Sequence, residues 1–153
     1  PLYLSYLTDF KEFKPVKAQK TLANAIQIGD PVSYKKAINV LKTFHGIVEQ
    51  ATEDELANAS AQADRTGLFS CPHTGVALAV LIKLLKGKMI KPEEKVVVIS
   101  TAHGLKFPEF KIDYHENKLD EVTSRFANLP VEVPPQYDAV RTAIYRKLEK
   151  ISG

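Results

Sequence analysis

The chain has 153 residues, of which 44% are hydrophobic and 25% are charged, as in an ordinary globular protein with one packed core. Its 21 basic and 18 acidic residues are interspersed, so the net charge of +3 gives no basic tract that would predict a nucleic-acid partner. The single cysteine, Cys71, excludes an internal disulfide, and the most apolar window, residues 76–85, is too short for a membrane span and contains Lys83.

The first predicted helix begins at a turn signal. Residues 29–31 read Gly-Asp-Pro, which predicts Asp30 as the N-cap and Pro31 in the first helical turn. Apolar residues at helical spacing follow, and Gly46 is expected to end the helix. Residues 47–48 are short and apolar and are compatible with a strand.

Two further helices are predicted in the middle of the chain. Thr52 and Glu55 have the spacing of a capping box, and the helix that they open should run to about Asp64. Residues 68–72 are predicted to be extended or a short strand. Residues 74–86 are apolar nearly all round, which predicts a helix enclosed on most sides and ended by Gly87.

The second half of the chain contains a predicted central strand at residues 96–99, because a continuous β-branched run suits a strand covered on both faces of a parallel sheet. Residues 113–135 look irregular. A final amphipathic helix is predicted, with an inner apolar stripe of Tyr137, Val140, Ile144 and Leu148. Strands alternating with helices predict an α/β fold with an open, mostly parallel sheet and flanking helices.

In an open parallel sheet, ligands bind beyond the carboxyl ends of the strands. Three stretches of small or polar residues are candidates for lining one pocket there, at residues 29–30, 70–75 and 100–104. Ser100 and Thr101 offer hydroxyls that either contact a ligand or bond to loop amides. The residues alone do not separate these alternatives.

Cys71 and His73 share a loop, which admits a thiol nucleophile with His73 or His103 as its base. No oxyanion-hole signature accompanies that pair. A zinc site could also be considered, with Cys71, His73, His103 and His115 as ligands. Their spacing matches no compact zinc motif. The chain has no GxGxxG, P-loop or GxSxG motif, so nucleotide phosphate binding and a serine-hydrolase elbow have no support.

Several motifs resemble the C-terminal part of plant-type threonine synthases. They are TGLFSCPHTGVALA at 66–79, VVVISTAHGLKF at 96–107 and KIDYH at 111–115, with AIQIGDPVS at 25–33 and GIVEQATEDEL at 46–56 in the same order. The similarity covers nearly the whole chain and is weak only beyond about residue 116. It implies pyridoxal-phosphate enzymes of the two-domain, tryptophan-synthase-like fold, of which this chain would form the C-terminal portion.

The resemblance also implies a reaction and site residues. Threonine synthases convert O-phosphohomoserine and water to L-threonine and phosphate by γ-elimination and β-addition. Thr101 matches the family hydroxyl that faces the cofactor's pyridine nitrogen, and a neutral hydroxyl, unlike a carboxylate, does not enforce protonation there. By looser similarity Gly29 and His73 line the cofactor ring. His103 and Gly104 are assigned to shaping the loop.

The family's Schiff-base lysine and its glycine- and asparagine-rich phosphate loop match no segment of this chain, and Lys106 is not that lysine by position. We therefore expect that Pro1 is an internal position and that the chain alone neither attaches the cofactor covalently nor makes threonine. Residues 1–116 are expected to form the α/β core region, and residues 117–153 an irregular segment and terminal helix. The implied partners are the N-terminal portion of the enzyme, a second subunit in a homodimer, and an S-adenosylmethionine effector if the enzyme is plant-like.

Two alternatives stay open at this stage. One is a related pyridoxal-phosphate enzyme such as cysteate synthase, which takes phosphoserine and sulfite. The other is a non-catalytic interaction fragment. The expected location is the cytoplasm, or the plastid stroma for a plant protein.

Overall fold

The computed structural model describes residues 1–152, and the side chains of residues 1–150. These residues form six α-helices and two short 3₁₀ turns, at Asn24–Ile26 and Gly104–Lys106. The helices are α1 (Leu2–Leu7), α2 (Tyr34–Thr43), α3 (Glu53–Asp64), α4 (Pro72–Lys86), α5 (Pro108–His115) and α6 (Tyr137–Ser152).

The core lies where α3 and α4 pack against each other, and Phe110 and Tyr114 of α5 belong to its buried cluster. A side chain added at Gly75 of α4 would place its Cβ 2.5 Å from the Leu56 carbonyl oxygen and 3.2 Å from Ser60 Cβ. Only glycine permits this approach of the two helices, since a Cβ would overlap the backbone of α3. The buried apolar cluster consists of Ala23, Leu56, Ala57, Ala61, Phe110 and Tyr114.

The predicted capping box is confirmed, and α3 begins and ends where the sequence indicates. The Glu55 amide donates to Thr52 Oγ1 at 3.2 Å, and Glu55 Oε2 accepts from the Thr52 amide at 2.8 Å. The predicted end of α4 is also confirmed, with Gly87 as its C-cap. Its start lies two residues earlier than predicted, because Cys71 serves as the N-cap and Pro72 occupies the first turn.

The predicted start of α2 is wrong. Residues 31–33 form a turn, closed by the Tyr34 amide donating to the Pro31 carbonyl at 3.3 Å, and the helix begins at Tyr34. At the other end His45 takes a left-handed conformation with φ of +52°, and the Gly46 amide bonds to the Leu41 carbonyl at 2.7 Å. This closure is a Schellman motif in which His45, not glycine, supplies the left-handed residue.

No β-strand occurs within residues 1–152, so the open sheet and its strands at 47–48, 68–72 and 96–99 are not confirmed. The single ladder contact described is an isolated antiparallel bridge between Ser70 and His103. Residues 96–99 belong to no helix or strand, and Val97 is 89% exposed and Ile99 77% exposed. A parallel strand requires neighbours to accept its backbone hydrogen bonds and cover its faces, and the described residues supply none here.

Two predictions on helix environment need correction. The terminal helix forms as α6, but its predicted inner stripe is exposed by 41–77%, with Tyr137 the most exposed member. Helix α4 is less enclosed than predicted, since Leu85 is 44% exposed while Ala79 is buried. In both helices the apolar pattern is real, but the described residues do not provide enough packing partners to cover it. None of the helices described for residues 1–152 has the length and apolarity needed to cross a membrane.

Candidate functional site

The candidate site lies where the N-terminus of α4 meets residues 100–104. Cys71 is fully buried as the N-cap of α4, and its sulfur accepts from the Thr74 amide at 3.4 Å. The same sulfur lies 3.3 Å from Thr74 Oγ1 and 3.8 Å from Thr101 Oγ1. Thr74 Oγ1 also contacts Ser100 Oγ at 3.2 Å. One thiol and three hydroxyls therefore form a continuous network, which we call the hydroxyl–thiol cluster.

The cluster has a buried floor and an open edge. Cys71 and Thr74 are buried, whereas Ser100 and Thr101 are exposed. The hydroxyl of Thr101 is accordingly backed by a sulfur and available to solvent or to a ligand on its other side. The hydrogen bonds of the cluster involve hydroxyls, a thiol, amides and an imidazole, but no carboxylate.

The environment of Cys71 favours the thiolate. Burial by itself raises the pKa of this thiol, but hydrogen bonds from Thr74, His73 and Thr101 outweigh it and bring the pKa to about 6. A position at a helix N-terminus acts in the same direction, because the free amides and the helix dipole favour negative charge. The sequence presented Cys71 as a possible nucleophile or zinc ligand and not as an N-cap, since cysteine is not among the usual capping residues.

His73 joins the cluster to the segment that contains Gly29. Its Nε2 accepts a hydrogen bond from the Ala25 amide at 3.0 Å, and its ring meets that of Phe107 edge-on at 5.2 Å. The bond to Ala25 requires an unprotonated Nε2, so in the neutral ring Nδ1 carries the proton. The structure thus brings His73 and Thr101 together around Cys71.

Gly29 is held by a different contact. Its carbonyl accepts from the Val16 amide at 2.9 Å, and an added Cβ would lie 2.0 Å from the Val16 carbonyl oxygen. A side chain is therefore excluded by close backbone approach, which is one physical reason for glycine at this position. The segment is tied to the cluster through Ala25 and His73, and no direct contact joins Gly29 to Thr101.

His103 acts within its own loop. Its Nδ1 accepts from the Leu105 amide at 3.2 Å and caps the 3₁₀ turn at Gly104–Lys106, and its ring lies 5.6 Å from that of Phe69. A histidine engaged in this way fits the expected part in shaping the loop. In the described part of the chain, His, Cys, Asp and Glu side chains form no group of three or more suited to hold a metal ion.

A buried ion pair near the cluster was not anticipated from the sequence. Lys111 of α5 is 6% exposed, and its Nζ lies 2.5 Å from Asp64 Oδ2 and 2.9 Å from Ser60 Oγ. In the sequence Lys111 belongs to the KIDYH motif, which does not indicate a buried position. Lysine is ordinarily a surface residue, and no local pattern indicates that its partner lies 47 residues earlier in the chain.

Comparison with known proteins identifies the family. A family model described as pyridoxal-phosphate dependent enzyme matches residues 4–102, which include Gly29, His73 and Thr101. The chain belongs to the pyridoxal-phosphate-dependent enzyme family. Membership in this family implies the tryptophan-synthase-like fold, although the open sheet of that fold remains a prediction for residues 1–152.

Relatives of this chain within the family include threonine synthases. The chloroplastic threonine synthase 2 of Arabidopsis thaliana is 53% identical over 150 residues, which are 97% of this chain and 29% of that protein. The threonine synthases of Methanocaldococcus jannaschii and Methanosarcina acetivorans are each 33% identical, over 78% and 87% of this chain. The chain spans about 30% of the length of these relatives. The recognition made from the sequence motifs is confirmed.

Proposed function

We propose that this chain is part of a threonine synthase that converts O-phosphohomoserine and water to L-threonine and phosphate. The observation that carries the proposal is the 53% identity to the chloroplastic threonine synthase 2 across 97% of the chain. The two archaeal relatives carry the same name, so the similarity points to one activity across distant sources.

The described residues fit one side of a pyridoxal-phosphate site. The exposed hydroxyl of Thr101 is a neutral group that can donate to or accept from a ring nitrogen, and its backing by Cys71 limits its rotation. We infer that Thr101 contacts the pyridine nitrogen, with His73 and the backbone at Gly29 along the ring. When bound, the cofactor acts as an electron sink that stabilises a carbanion of the amino-acid substrate.

The chain's own residues would bind and orient the ring. Because Cys71 and Thr74 are buried, the floor of the hydroxyl–thiol cluster presents no bulk water to the side of Thr101 that they cover. Lys111 does not serve as the Schiff-base lysine, since its amine is buried against Asp64. We propose that the lysine and the phosphate-binding loop are supplied by threonine synthase sequence outside these 153 residues.

The same proposal accounts for the exposed apolar segment at residues 96–99. Residues 96–99 have the composition of a central strand yet expose most of Val97 and Ile99. We propose that strands from the remainder of the enzyme pair with this segment and complete an open, mostly parallel sheet, with residues 1–116 in its core region. The chloroplastic relative favours the plastid stroma over the cytoplasm as the location. A homodimer and an S-adenosylmethionine effector remain part of the proposal.

A chimera tests the activity directly. Residues 1–153 replace the matching segment of Arabidopsis threonine synthase 2, and phosphate and threonine are measured with O-phosphohomoserine. We expect a rate within about tenfold of the parent, that is within ~1.4 kcal/mol of transition-state free energy. A chimera that binds the cofactor but acts on phosphoserine and sulfite would indicate a cysteate synthase. A folded chimera that binds no cofactor would indicate a non-catalytic fragment.

Variants of the same chimera test the assignment of Thr101. Thr101→Val keeps the shape but removes the hydroxyl, so we expect kcat to fall and the absorption band of bound pyridoxal phosphate to shift. Thr101→Ser should retain both within a few-fold. Thr142→Val, at an exposed position of α6, is the matched control and should change neither. If Thr101→Val leaves rate and spectrum unchanged, the proposed contact is wrong.

A further inference from the structure

The amine of Lys111 is a buried charged group that the proposed function does not use. Its Nζ lies between Asp64 Oδ2 and Ser60 Oγ, and above the Phe69 ring at 4.8 Å from the centroid. Burial lowers the pKa of Lys111, although its hydrogen bond and charge interaction with Asp64 oppose that effect. A buried ion pair is often no more stabilising than well-packed apolar residues, so stability alone does not explain a lysine here.

The ion pair is connected to residues 69–71, which contain Cys71 of the hydroxyl–thiol cluster, through Ser70. Asp64 uses its other oxygen, Oδ1, to accept the Ser70 amide at 2.9 Å, and Ser60 Oγ lies 3.0 Å from Ser70 Oγ. Ser70 is fully buried and immediately precedes Cys71. The position of the Cys71 sulfur is therefore set by a residue whose amide and hydroxyl both bond to the partners of Lys111.

Residues 101–104, which contain Thr101 of the cluster, also pack against Lys111. The Gly104 amide donates to the Phe69 carbonyl at 2.8 Å, beside the bridge between Ser70 and His103. An added Cβ at Gly104 would lie 2.9 Å from Lys111 Cε and 2.8 Å from Phe69 Cδ1. The lysine stem and the Phe69 ring thus form the surface on which residue 104 sits, three residues after Thr101.

We propose that Lys111 is a positioning residue that holds the segments 69–71 and 101–104 in register, and so keeps Thr101 against Cys71. An apolar side chain would fill the same volume. It would not bind Asp64 and Ser60 at once, and those two residues fix Ser70. The relevance of this register to the cofactor rests on the proposed function, whereas the register itself does not.

The sole cysteine of the chain makes the register measurable. Cys71 is fully buried, so its alkylation requires local opening of residues 69–71, and the rate reports how often they open. Lys111→Met leaves the largely buried Asp64 carboxylate without its cation and is expected to lower the melting temperature. Lys111→Met combined with Asp64→Asn removes both charges and keeps an acceptor for the Ser70 amide, so its melting temperature should return towards that of the parent.

In the double variant we expect Cys71 to be alkylated faster than in the parent by roughly tenfold, despite the recovered stability. The double variant removes the cation and its paired anion together, so the net charge near the thiol is unchanged and acceleration reports opening. Lys118→Met, at an exposed lysine paired with Glu116, is the matched control and should leave the rate unchanged. Equal alkylation rates in the double variant and the parent overturn the proposal.

Hydrogen exchange of the unsubstituted protein gives a second test that does not depend on any variant folding. The Ser70 and Gly104 amides, which bond to Asp64 and Phe69, should be protected and should exchange together. Unprotected exchange at Ser70 contradicts the proposal. The double variant is also placed in the chimera. If Cys71 is alkylated faster there while the affinity for pyridoxal phosphate is unchanged, the positioning of Cys71 by Lys111 is supported but the assignment of Thr101 to the cofactor is contradicted.

Discussion

At the scale of single residues, Cys71 shows how hydrogen bonding outweighs burial. Its sulfur accepts from the Thr74 amide and contacts two threonine hydroxyls, at the start of a 15-residue helix. An anion at this position receives the partial positive charge of the free helix amides. The same sulfur backs the Thr101 hydroxyl, so its charge bears on the group that we assign to the cofactor.

We predict that Cys71 titrates with a midpoint near pH 6 and not near its ordinary value of 9.0. Thiolate absorbance against pH measures this in the 153-residue chain, with Cys71→Ser as the blank. Because the folded pKa lies below the unfolded one, the unfolded chain binds more protons between about pH 6 and 9, and the free energy of unfolding should rise across that window. Thr74→Val should raise the midpoint, and a midpoint near 9 in the parent would contradict the prediction.

At the scale of the helices, α3 is the element that is specified most completely by its own sequence. Its capping box satisfies two of the free amides of the first turn, and its first turn carries Glu53, Asp54 and Glu55. Its end is set by tertiary contacts, since Asp64 is engaged by Lys111 and by the Ser70 amide. The start of this helix is therefore a local property and its end is not.

Thr52→Ala should reduce the free energy of unfolding by about 1 kcal/mol, because it removes the cap hydroxyl. Chemical denaturation of the two proteins measures this, and Thr43→Ala on the exposed side of α2 is the control, with a change expected within about 0.5 kcal/mol.

The bond from the Thr52 amide also lowers the pKa of Glu55. The stability that it contributes is present above pH 4.5 and is lost as the pH falls through the folded pKa. This pH dependence of the free energy of unfolding should be absent in Glu55→Gln.

The contact between α3 and α4 depends on Gly75. A methyl group there would overlap the Leu56 carbonyl, so Gly75→Ala should destabilise the chain by about 1–3 kcal/mol, measured by thermal or chemical unfolding. Gly87→Ala is the matched control, because the nearest atom to its added Cβ is 3.3 Å away and its φ is an ordinary −76°. A larger loss at Gly87 than at Gly75 would argue against the helix packing described here.

At the scale of the whole molecule, apolar surface is unevenly covered. The buried cluster is centred on α3 and α5, whereas residues 96–99 and α6 expose many of their apolar side chains. Such surface is characteristic of segments that pack against further protein. It agrees with a chain that spans about 30% of the length of its relatives.

Val97→Lys distinguishes an exposed segment from an unfinished strand. In the 153-residue chain Val97 is 89% exposed, so the substitution should change the free energy of unfolding by less than about 0.5 kcal/mol. In the chimera the same lysine would lie in the interior of the proposed sheet, and we expect loss of soluble, active enzyme. Val131→Lys, at a 61% exposed valine of the irregular segment, is the control and should be tolerated in both proteins. An active chimera carrying Val97→Lys would remove the case for a central strand.

Features with local causes, and features recorded as motifs, could be predicted from the amino-acid sequence. The capping box of Thr52 and Glu55, the end of α4 at Gly87 and the family were all recognisable from neighbouring residues. Local signals failed at α2, where Pro31 closes a turn before the helix and His45 takes the left-handed conformation without being glycine. Local signals are insufficient at these positions because the conformations of Pro31 and His45 depend on the surrounding backbone.

The contacts between side chains that are distant in the sequence could not be predicted, because they depend on how the helices pack. The sulfur of Cys71 lies against Thr101, 30 residues away, and Lys111 is buried against Asp64, 47 residues away. No propensity or spacing encodes such pairs, since they arise when α3, α4 and α5 pack and bring distant polar groups into one buried region. The strand at residues 96–99 is the converse case. Its composition is that of a buried strand, but a sheet depends on neighbouring strands, and among residues 1–152 none is present to pair with it.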